Sequence, residues 1–163
     1  DPDVEIVKYL VMQLNADVDA CNNDGDTALH QEFTRQPPNI LLVRCLLGEC
    51  GASVNNKMSA LSPLHRTAER GDVPMMRLLA KHSKAGVDIK NYRGETPLHV
   101  AARCGHTPII HLLAAEYKAE VNTKDTPGHT PLHTAVRSDI DCLKVIKYLI
   151  ERKVHVDAQD RGG

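Results

Sequence analysis

The chain has 163 residues, a formal net charge of −1 and only 3% aromatic residues, with one phenylalanine and no tryptophan. That balance excludes a global attraction to nucleic acid or to acidic membranes, and so few aromatics exclude a core built on large rings. Five cysteines (Cys21, Cys45, Cys50, Cys104 and Cys142) are odd in number and lack Cys-x-x-Cys spacing, which argues against a secreted disulfide framework and a zinc site. A reducing compartment, cytoplasmic or nuclear, is expected. Neither a secretory leader nor an apolar run near the ~20 residues of a membrane span is visible.

The first predicted element is a lone helix over about residues 4 to 14, with Ile6, Val7, Leu10 and Val11 at helical spacing. A turn follows, and then Thr27-Ala28-Leu29-His30 opens a second helix. Gln36-Pro37-Pro38-Asn39 breaks the chain before a third, which carries Leu42, Val43, Leu46 and Leu47. Ser62-Pro63-Leu64-His65 opens the next pair, whose second helix carries Met75, Met76, Leu78 and Leu79. Its turn has Lys57 and Ala60 where the others have Asn or Asp and a glycine, so Ala60 is expected to bear a strained positive φ.

The third pair has the cleanest pattern. Asn91 to Glu95 reads as a turn in which Gly94 permits positive φ. Thr96 can cap the helix it precedes, and Pro97 suits a first helical position, where its missing N–H would be unbonded anyway. Leu98, Ala101 and Ala102 form a thin apolar face, Gly105 stops the helix, and Ile109, Ile110, Leu112 and Leu113 mark the second one. Thr130-Pro131-Leu132-His133 starts the fourth pair. There Asp139 replaces the inter-helix glycine, and Ile140-Asp141-Cys142 lengthens the loop before Val145, Ile146, Leu149 and Ile150.

The four Thr-Pro-Leu-His variants place their histidines 35, 34 and 34 residues apart. Self-similarity at such a period marks a stacked array in which each unit packs on its neighbours. Over essentially its whole length the chain resembles the ankyrin-repeat family. The resemblance implies an all-α solenoid of helix pairs joined by short β-hairpin-like turns, with almost no strand. It implies a partial repeat at 1–21, repeats at about 22–56, 57–90, 91–124 and 125–158, and the start of another at 159–163. An excerpt of a longer array is expected.

Nine histidines invite a metal or catalytic reading. However, His30, His65, His99 and His133 recur at one place in every unit, which chemistry would not require. The resemblance gives them a structural role, bonding the hairpin backbone and the helix start. The phosphate loop, Gly-x-Gly-x-x-Gly, His-Glu-x-x-His and Gly-x-Ser-x-Gly are all absent. No catalysis, cofactor, metal or small-molecule substrate is expected.

The resemblance further implies protein binding, as a scaffold or adaptor, through hairpin tips and the concave ends of the first helices. Mapped onto this sequence, the binding residues are Asp24, Asp26, Met58, Tyr92, Arg93, Glu95 and His129 at the tips, with Arg35, Arg66, Arg70, Arg103 and Arg137 on the inner helices. One arginine per unit suits carboxylate or phosphate, so an acidic or phosphorylated peptide is the expected partner, with neither nucleic acid nor membrane. The competing reading is a solvated face in which Glu32, Glu69 and Glu95 neutralise the arginines. Two other functions compete with the scaffold reading. One is a substrate-recruiting part of a larger enzyme. The other is a transcription-factor regulator, because Asp24-Gly25-Asp26-Thr27-Ala28-Leu29-His30 is similar to the first repeat of inhibitor-of-NF-κB proteins.

Overall fold

The computed structural model describes residues 1–55, 61–84, 86–138, 140, 142–152 and 154. The expected strain at Ala60, the departures at Lys57 and Asp139 and the candidate contact Met58 lie outside these residues. Among the described residues the regular structure is entirely helical. Helix α1 (Pro2–Lys8) runs on as a π-helical turn over Tyr9–Gln13. Four pairs follow: α2 (Ala28–Glu32) with α3 (Ile40–Gly48), α4 (Pro63–Arg70) with α5 (Val73–His82), α6 (Pro97–Arg103) with α7 (Thr107–His111), and α8 (Pro131–Val136) with α9 (Leu143–Glu151). A second π-helical turn, Leu112–Glu116, extends α7.

Capping residues set where these short helices start. The Thr27 hydroxyl accepts the N–H of His30 at 3.4 Å, and Pro occupies the first position of α4, α6 and α8. Asn39 Oδ1 accepts the N–H groups of Leu41 and Leu42, so the Pro37-Pro38 interruption ends in an N-cap. Asp72 does the same for α5 through the N–H of Met75 at 3.0 Å. Gly71 ends α4 at φ +70°, and a Cβ there would lie 2.7 Å from the His106 ring, so neither the backbone nor the space admits a side chain.

The inner helices α4, α6 and α8 stack in one layer, α2 lies at its end tied to α4 through Arg70, and the outer helices α3, α5, α7 and α9 back them. Contact is most extensive around α6, between α4 and α8, where Leu98, Val100, Ala101 and Ala102 are all buried. Alanine brings the backbones close, and each buried leucine contributes roughly 1.5–3 kcal/mol. Ile109, Ile110, Leu112 and Leu113 are fully buried behind them. Cys45 and Cys142 sit in the core as free thiols, and burial pushes Cys45 up to about 11.

Two apolar assignments are corrected. Helix α1 buries no residue: Val4 and Val7 lean on the core, whereas Ile6 and Leu10 are exposed. Among the described residues its main contact with the helix pairs is α3, which covers one flank of the stripe. Ile150 is likewise half exposed on the outer side of α9.

Candidate functional site

Three hairpin tips share one closure. Asn22 Oδ1 accepts the N–H groups of Asp24 and Asp26, and Asn91 Oδ1 accepts those of Arg93 and Glu95. Asp125 Oδ1 accepts the His129 N–H at 2.6 Å. In each tip the first residue's N–H donates to the fifth residue's carbonyl, and the glycine N–H donates back to the first. The tips at 91–95 and 125–129 are also joined, since the Thr126 N–H donates to the Arg93 carbonyl at 3.0 Å. That approach needs Gly94: at φ +74° a Cβ would lie 2.7 Å from the Thr126 nitrogen.

His65 and His99 brace the tips at 91–95 and 125–129. The Thr96 N–H donates to His99 Nδ1 at 3.1 Å, so Nδ1 carries the lone pair and Nε2 the proton. Nε2–H then donates to the His129 carbonyl at 3.0 Å. His65 repeats the arrangement, with the Ser62 hydroxyl at 2.9 Å and the Glu95 carbonyl at 2.8 Å. Burial disfavours the charged ring and holds His65 and His99 below their ordinary value, as it does His30. His30 Nδ1 meets the Thr27 hydroxyl at 2.8 Å, but its Nε2 is buried with no partner among the described residues.

Between the tips 91–95 and 125–129 and the ends of α6 and α8 lies an open pocket of about 730 Å³. Six of the sequence-predicted contact residues line it: Tyr92, Arg93, Glu95, Arg103, His129 and Arg137. Tyr92 is 66% exposed, with the Arg93 guanidinium 5.3 Å from its ring centre. Arg103 Nε stands 3.7 Å from Glu95 Oε1, beyond hydrogen-bond reach, and has no hydrogen-bond partner among the described residues. Arg137 Nη1 meets His129 Nε2 at a long 3.4 Å. The acids, by contrast, are committed: Asp125 to the His129 N–H, and Glu95 Oε2 to the Asn91 side-chain amide at 2.9 Å.

The remaining predicted contacts lie elsewhere. Asp24 is exposed at the first tip, and Asp26 accepts from Gln31 Nε2 at 3.0 Å. Arg35 pairs with Glu32 at 3.4 Å, and Arg66 is half-buried on α4. Arg70 turns back, donating to the carbonyls of Phe33 at 2.8 Å and Arg35 at 3.3 Å, where it satisfies the open end of α2. The four inner arginines therefore do not form one row; only Arg103 and Arg137 share a pocket. Their registers differ: Arg35 and Arg70 lie five residues beyond their histidines, and Arg103 and Arg137 four. Sequence reasoning missed Asp125, Thr134 and Ile140 in the lining. Asp125 could have been found, because it opens its turn just as Asn91 and Asn22 do.

Among the described residues no group of three or more His, Cys, Asp or Glu side chains is placed to hold a metal. None of the described helices is long and apolar enough to cross a membrane. In comparison with known families, residues 34–125 match the family described as ankyrin repeats (3 copies), and residues 127–161 match a further ankyrin repeat. No curated protein matches the chain significantly.

Proposed function

The chain belongs to the ankyrin-repeat family, and we propose that it acts as a scaffold or adaptor that holds an acidic or phosphorylated segment of a partner protein in the pocket between the 91–95 and 125–129 tips. Members of this family are typically non-catalytic protein-binding modules. The observation that carries the proposal is the asymmetry of the pocket's polar groups. Its carboxylates are occupied by their own hairpins, while the guanidinium groups of Arg103 and Arg137 have no tight ion pair. Planar donor forks facing a groove suit an incoming oxyanion. The exposed Tyr92 ring is an anchor of the kind that dominates binding hot spots. Hairpins tied to each other and braced by buried histidines present these groups with little ordering cost.

The same reading keeps the units at about 22–56, 57–90, 91–124 and 125–158. The free thiols favour a reducing compartment, cytoplasmic or nuclear. The test is capture of a partner by the chain and by two variants. Reversing Arg103 and Arg137 to glutamate should abolish capture without loss of helical circular dichroism, and Tyr92→Ala should weaken it about tenfold or more. Capture by the wild type should fall as salt rises, because exposed charges are screened within ~8 Å at physiological ionic strength. Undiminished capture by the double reversal would overturn the proposal.

A further inference from the structure

We infer that the anion subsite of this pocket takes a single peptide carboxylate, the side chain of one aspartate or glutamate, and discriminates against phosphate. The inference rests on the reading of the pocket as the partner-binding site and specifies what that site selects. The first ground is how small the cationic region is. The positions equivalent to Arg103 and Arg137 in the earlier units are Thr34 and Glu69, and Glu69 is exposed. In the adjacent register Arg70 is spent on the Phe33 and Arg35 carbonyls just beyond α2, and Arg35 lies beside Glu32. An extended acidic run would therefore leave the arginines within one unit and meet Glu69, roughly 10 Å away at the spacing of stacked helices.

The second ground is charge. Arg93, Arg103 and Arg137 face the pocket together with Glu95 and Asp125, so the arginines and carboxylates of the lining leave one positive charge. One carboxylate cancels it. A phosphoryl group brings about −1.5 to −2 and would leave net negative charge between two acidic walls. Those walls are held in place, Glu95 by the Asn91 side-chain amide and Asp125 by the His129 N–H. The third ground is the apolar part of the lining, where Tyr92 and Ile140 are 66% and 55% exposed. An apolar neighbour of the acidic residue would cover them.

The probes are three blocked tripeptides, acetyl-Leu-Glu-Leu-amide and its glutamine and phosphoserine analogues. Each is titrated into the isotope-labelled chain while the Arg103 and Arg137 Nε–H and the Tyr92 amide resonances are followed. The glutamate peptide should bind about fivefold more tightly than either analogue and should move both arginine signals. Arg103→Gln should erase its preference over glutamine; Arg137→Gln serves the same purpose if the first variant misfolds. A phosphoserine peptide that binds as tightly or more tightly overturns the inference. Equal affinity for glutamate and glutamine, with Tyr92 still moving, overturns it while leaving the pocket as a peptide site. No movement at about 10 mM of any peptide removes the pocket reading and the inference together.

Discussion

The α4–α6–α8 region and the α2 end of the stack carry the same helix-opening histidine and use it differently. His65 and His99 are engaged at both nitrogens, and each Nε2–H reaches the carbonyl before the next unit's helix. His30 has the same hydroxyl partner, yet its Nε2 finds none among the described residues. The α2 end is fastened instead by Arg70, whose guanidinium takes the Phe33 and Arg35 carbonyls that follow the helix. At the α6–α8 joint the comparable fastening comes from the small Ser138 hydroxyl, which donates to the Arg103 carbonyl at 2.7 Å. A serine strap leaves Arg103 and Arg137 for a ligand, whereas an arginine strap does not. The joint with the fullest internal bonding is thus also the one with uncommitted cations.

The sharpest break of this contrast is Leu98→Asp. It would bury a carboxylate at a 1% exposed position between α4 and α8, at a cost of roughly 4 kcal/mol or more. Thermal melting should show loss of the central pairs, and an unchanged midpoint would remove Leu98 from the core.

His99→Ala and His30→Ala compare the two regions directly. The first strands buried partners of both ring nitrogens and should cost about 2–3 kcal/mol; the second should cost about 1 kcal/mol less. Urea denaturation giving equal losses would show that the missing His30 contact has no energetic meaning.

Gly94→Ala should cost about 2 kcal/mol, through strain at φ +74° and the lost Thr126–Arg93 hydrogen bond. Gly51 has φ +72° but open space around it, so Gly51→Ala should cost only about 1 kcal/mol. Chemical denaturation of the two variants separates crowding from backbone strain.

Acidity should act on the braced region more gently. His65 and His99 are held below 6.5 by burial, so as pH falls the unfolded chain takes up protons first. Stability is complete above about pH 7 and declines as pH drops through 6.5 toward the lower folded values. Urea midpoints at several pH values should fall in that direction, and by less in His99→Gln, which has one fewer such ring.

Much of this fold was legible because its determinants are local. A threonine or serine, a proline and a histidine at fixed offsets specify a capped helix whatever lies nearby, and Leu98 or Ile109 declares its burial by spacing. The six pocket residues were reachable for the same reason, since position in a periodic chain is position in space. The fate of each arginine was not. Whether a long flexible side chain turns outward or bonds a neighbour's carbonyls depends on what its register meets in the next unit, and the one-residue difference between Arg70 and Arg103 acquires that meaning only when the units are stacked. Exposure of Ile6 and Leu10 was equally hidden, because apolar spacing predicts a stripe but not how many partners cover it.

The hydrogen bond from His99 Nε2 to the His129 carbonyl has a further meaning in the currency of genes. The unit at 91–124 supplies one donor that points forward, from His99, and one acceptor that faces backward, the Glu95 carbonyl held by His65. A tandem duplication therefore inserts both halves of the bond at once, and the seam it creates is satisfied from the first generation. Lengthening such an array requires no new chemistry, whereas altering a single turn leaves an upstream histidine with nothing to hold.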